Sequence, residues 1–139
     1  MRKIRNTIVA TMLFASIMLC SANVNAAARV NGTCGSAGVG GISTIGQHKA
    51  QGYTFQSGNT GSVKADCTCT YRDVSAGKTR TMTGSSSGTA SAEKSFTVYE
   101  EDYMKSEEDY MKSLVTKHSA VIGAYKWGPS NETTTKATC

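Results

Sequence analysis

Glu100-Glu101-Asp102-Tyr103-Met104-Lys105-Ser106 is followed at once by an identical copy, Glu107 through Ser113. Seven residues advance an α-helix by nearly two turns, a drift of only about 20°. A tandem copy therefore keeps each side chain near its original face in a helix, whereas in a strand an odd insertion flips every later residue. Read this way, the repeat predicts a helix over residues 100–117. Tyr103, Met104, Tyr110, Met111, Leu114 and Val115 form its apolar stripe. The acids lead, and Lys117 with His118 closes the segment, the order the helix dipole favours.

Upstream, Val63 to Arg72 alternates strictly. Val63, Ala65, Cys67, Cys69 and Tyr71 point one way, and Lys64, Asp66, Thr68, Thr70 and Arg72 the other. Period two marks a strand with one buried face. Asp73 to Lys78 reads as a hairpin loop into a strand at Thr79–Thr83, and Gly84 to Gly88 as a flexible connection. Shorter strands are expected around Tyr53 and Phe55 and from Lys94 to Tyr99. Apolar Ala120–Trp127 and the final Thr133–Cys139 read as strands as well. Six glycines between residues 31 and 50 suggest loop or irregular strand. The fold class expected is α+β: a small disulfide-stapled antiparallel sheet with one amphipathic helix.

At the other end of the chain, Arg2, Lys3 and Arg5 precede an apolar run from Ile8 to Leu19, and Val24-Asn25-Ala26 fits a small-x-small cleavage site. The run is too short for the roughly 20 residues of a membrane span. Residues 1–26 are thus expected to be a cleaved signal peptide and 27–139 a single exported domain, periplasmic or secreted, and the short basic signal points to a bacterial source. Of fifteen basic residues three leave with the signal, so twelve face ten acidic ones. That balance lacks the concentrated basic face of a nucleic-acid binder.

The domain so defined is poor in apolar residues: Gly, Ser and Thr make up 44 of its 113 positions. Such domains commonly rely on disulfides. Cys34, Cys67, Cys69 and Cys139 are an even set in an exported chain. A Cys67–Cys69 ring would be strained, so the expected bonds join Cys34 to one of the pair and Cys139 to the other. No metal site is expected, because Cys-x-Cys lacks the usual ligand spacing. No cofactor is expected either. Ala76-Gly77-Lys78-Thr79 lacks the leading glycine of a phosphate-binding loop.

Two function classes follow. The favoured one is a small non-enzymatic interaction protein of the inhibitor, immunity or virulence-associated kind. It would bind another protein through helix 100–117, with Tyr103, Met104, Tyr110 and Met111 as contacts. Its alternative is a small secreted hydrolase or toxin using His48 and His118 as an acid–base pair near neutral pH. That pair works only if the two rings come within one substrate's reach.

Overall fold

The structure is a computed structural model that describes residues 24–98 and 109–139. The alternating segment is strand β4, Ser62–Asp73. Its hairpin partner β5 runs over Lys78–Gly88 without a bulge, so Gly84–Gly88 continues the strand. On its other edge β4 pairs with β7, Tyr110–Ile122, which in turn pairs with β8, Tyr125–Trp127, and β9, Thr134–Thr138. All pairings are antiparallel. A second antiparallel sheet has the order β1-β2-β3-β6, from Val24–Cys34, Ala37–Gly46, Lys49–Gln56 and Ser91–Thr97.

The two sheets lie face to face. Val39, Ile45, Ala50 and Phe96 of the β1-β2-β3-β6 sheet, with Val98 just after β6, meet Val63, Ala65, Cys69, Met111 and Leu114 of the β4–β7 sheet in one buried cluster. The result is an all-β two-sheet sandwich, not α+β. Among the described residues the helical content is one 3-10 turn, Asn131–Thr133.

The helix reading fails where it can be tested, since Tyr110–Lys117 belongs to β7. Residues 100–108 lie outside the described residues. The cause of the error is a bulge. Thr70 faces Ser113 but Tyr71 faces Met111, so Lys112 is an extra residue in β7. It turns both Met111 and Leu114 inward, each with no exposed surface, at the three-residue spacing of a helix. Beyond the bulge the segment alternates as a strand, burying Leu114, Thr116, His118 and Ala120.

The disulfide expectation is also overturned: none of Cys34, Cys67, Cys69 and Cys139 is in a disulfide. Geometry explains it. The Cys34 thiol points to the Ala120 carbonyl, and Ala120 faces Val63, four residues along β4 from Cys67. Four residues of strand are about 13 Å, where a disulfide needs Cα atoms about 4–7 Å apart. Cys139 follows β9, two strands away from β4, roughly 10 Å. Cys139 is exposed, whereas Cys69 is in the core, its thiol against the Met111 sulfur at 3.3 Å.

The glycine-rich segment is mostly strand: it holds the end of β1, all of β2 and the start of β3, interrupted only at residues 35–36 and 47–48. At Gly41 of β2 the His118 ring occupies the space a Cβ would take, and at Gly52 of β3 the Cys67 sulfur and Thr116 do the same. These two positions let the sheets close over polar side chains. Gly41→Ala and Gly52→Ala should each lower the unfolding free energy by about 1–3 kcal/mol in urea titrations, the usual cost of overpacking. An unchanged midpoint in both would show that the sheets do not meet there.

Candidate functional site

His118 is fully buried in β7 between the two sheets. Nδ1 lies 2.7 Å from the Thr54 hydroxyl of β3, and Nε2 lies 2.7 Å from the Thr135 hydroxyl of β9. Thr135 Oγ1 is 2.7 Å from Ser43 Oγ of β2, and Ser43 donates to Thr116 Oγ1 at 2.6 Å. Thr116 reaches the Cys67 sulfur at 3.6 Å. Each hydroxyl has one proton, so Ser43 donating to Thr116 fixes the order. Nε2–H donates to Thr135 and Thr135 to Ser43, while Thr116 and the Cys67 thiol share the last hydrogen bond. Thr54 divides its proton between Nδ1 and the Lys64 carbonyl at 3.0 Å.

The chain of bonds therefore crosses from sheet to sheet, and every step from Thr54 to Cys67 is buried. Burial pushes the His118 pKa down from 6.5 to about 4, so the ring is neutral at physiological pH. Such a ring has no solvent to exchange protons with and no room beside it for a substrate. It is a structural member of the core.

His48 is elsewhere. It sits in the turn between β2 and β3, where the Gln47 carbonyl accepts the Met111 amide at 2.8 Å. Met111 and His118 are seven residues apart on β7, about 20 Å. The structure does not bring the two histidines together. Burial also raises the Cys67 thiol pKa, and raises that of Cys69 to about 11 with help from Cys67, so neither is a ready thiolate.

The contact residues expected on a helix face divide. Tyr103 and Met104 lie outside the described residues. Met111 is in the core, while Tyr110 faces out and is 40% exposed. A different surface carries the larger aromatic exposure. At one end of the sandwich the β1–β2 turn, the β3–β4 loop and the β7–β8 turn meet. Tyr125 lies over Gly35, and Gly61 abuts Val121 and Ile122. Gly35, Gly61 and Gly123 all have positive φ, which allows these tight reversals. Tyr125 is 62% exposed and Val121 43%.

Sequence reasoning missed this end because Ala120–Trp127 reads as one apolar strand. The Gly123 turn inside it was the signal that two strands meet there. It missed the His118 chain because Met111 and Leu114 masked the alternation that follows.

Among the described residues no cluster of three or more His, Cys, Asp or Glu side chains could hold a metal, and no helix is long and apolar enough to cross a membrane. No family model, curated protein or solved structure matches the chain.

The depressed His118 pKa has a pH consequence. Between pH 6.5 and about 4 the unfolded chain binds a proton that the folded chain refuses. This contribution to stability is complete above pH 6.5 and is lost as pH falls towards 4. Urea titrations should show a loss of about 3 kcal/mol across that window, at 1.36 kcal/mol per pKa unit. His118→Gln should abolish that slope. Asp73, held below its usual range by the Ala76 amide and Arg80, acts only at lower pH. A flat profile in the native protein from pH 7 to 4.5 would contradict the assignment.

Proposed function

We propose that the chain is an exported, non-enzymatic interaction protein that binds another protein through the end of the sandwich carrying Tyr125. The observation that carries this reading is the cluster of three turns with exposed Tyr125 and Val121 on a surface otherwise rich in hydroxyl and charged groups. Loops held by a rigid sandwich are a common binding platform. Tyrosine suits the role, because a large amphipathic ring with two side-chain torsions loses little entropy on contact.

Export is supported by the basic, apolar and small-residue order of residues 1–26. A binding rather than catalytic role is supported by where the reactive groups lie. His118, Cys34, Cys67 and Cys69 are spent inside the core. The inhibitor, immunity and virulence-associated kinds of protein all fit such a scaffold.

Immobilised protein exposed to extracts of the native cell envelope and medium should retain one stoichiometric protein partner. Tyr125→Ser should weaken that capture about tenfold or more, the scale of an aromatic hot spot. Tyr110→Ser, at the far end of β7, should leave it unchanged. A partner held equally by the Tyr125→Ser protein would remove the turn cluster as the contact surface.

A further inference from the structure

The outer face of the five-stranded sheet has a charge pattern that the turn cluster does not explain. Register places Lys64 of β4 opposite Ser119, Asp66 opposite Lys117, and Thr68 opposite Val115. Val115 in turn faces Lys136 of β9. Lys64, Lys117 and Lys136 therefore stand on three adjacent strands, each two residues further along than the last. With strands about 4.8 Å apart and about 3.4 Å per residue, they form a diagonal stripe with steps of roughly 8 Å.

Arg72 and Lys126 lie on the same face, and Asp66 is its one acid among the described residues. Asp66 is 3.5 Å from Lys64, both about half exposed. Five cations against one anion make this face far more positive than the chain as a whole.

Hydroxyls fill the ground between the charges. Thr81, Thr70, Ser113 and Thr138 form an unbroken row across β5, β4, β7 and β9. Beside the stripe a depression of about 430 Å³ is lined by Asp66, Thr68, Thr83, Ser85, Val115 and Lys117 among others. Hydroxyl side chains both donate and accept, as sugar hydroxyls do. Among the described residues this face has one exposed aromatic, Tyr110, at its margin opposite Arg72, so successive bases would find no stacking platform. Nor does the face carry long apolar side chains that could enter a bilayer.

The geometry points to this face as a binding site for a linear acidic polysaccharide. The polymer's carboxylates lie along Lys64, Lys117 and Lys136, and its hydroxyls bond to the flanking threonines and serines. This site is separate from the Tyr125 end and stands whether or not a protein binds there.

Titration of the purified protein with polygalacturonate in low salt tests it, with neutral dextran, duplex DNA and anionic phospholipid vesicles alongside. Polygalacturonate should bind, and its affinity should fall as salt rises, because paired charges release counterions. The triple variant Lys64→Gln, Lys117→Gln, Lys136→Gln should bind at least about tenfold more weakly, with a shallower salt slope. A control with the same charge loss, Arg29→Gln, Lys49→Gln, Lys78→Gln, should bind as the native protein does. All six side chains are exposed, and circular dichroism checks that both variants fold. Equal loss in the control would reduce the effect to net charge and overturn the site. So would dextran binding as tightly, tighter binding of DNA or vesicles, or no polygalacturonate binding at all.

Discussion

A neutral histidine in a closed protein interior needs hydrogen-bond partners for both ring nitrogens, and the rest of this fold is arranged around that need at His118. Its partners are Thr54 from one sheet and Thr135 from the other. The chain through Ser43 and Thr116 repeats the crossing one strand further on. Gly41 and Gly52 supply the space. An unmet polar group in such a place costs about 1–3 kcal/mol, so the sheets can close well in one register only. A chain with few large apolar residues thus obtains specificity from buried hydroxyls. Among the described residues neither a helix nor a disulfide takes that role.

The parts of the fold that could be read in the sequence are those with clean period-two alternation. Val63–Arg72 lies within β4, and in the expected last strand Thr135 and Ala137 share a buried face, although Thr133 belongs to the 3-10 turn and Cys139 is exposed. The segments that misled each contain a local feature with the wrong apparent period. Lys112 as a bulge gave Met111 and Leu114 a helical spacing. The glycines of β2 looked like a loop because their partners, His118 and Phe55, come from distant or neighbouring strands and leave no local mark. Seven-residue duplication preserves a face only if both copies lie in one helix, and the second copy already enters β7 at Tyr110. Cysteine parity carried no distance information. Only the strand order shows that Cys34 and Cys67 are four residues of strand apart.

The candidate sites were legible to different degrees for the same reason. Tyr110 was singled out as a contact and is exposed, but beside Arg72 on a sheet rather than on a helix. His118 was singled out by residue type, whereas its role depends on tertiary neighbours at positions 43, 54 and 135. The lysine stripe is invisible along the chain, since Lys64, Lys117 and Lys136 become neighbours only through pairing of β4, β7 and β9. Both proposed binding surfaces are ones that the topology assembles: turns gathered at one end, and a cationic hydroxyl-rich face on one side.

The most direct test of the central claim is the protonation state of the His118 ring, followed by NMR of isotopically labelled histidine from pH 8 to 4. A ring held between Thr54 and Thr135 should show one neutral tautomer with the proton on Nε2, slow exchange with water, and titration only near pH 4. A ring that titrates near 6.5 with rapid exchange would place His118 in solvent and contradict the buried polar chain on which the sandwich rests.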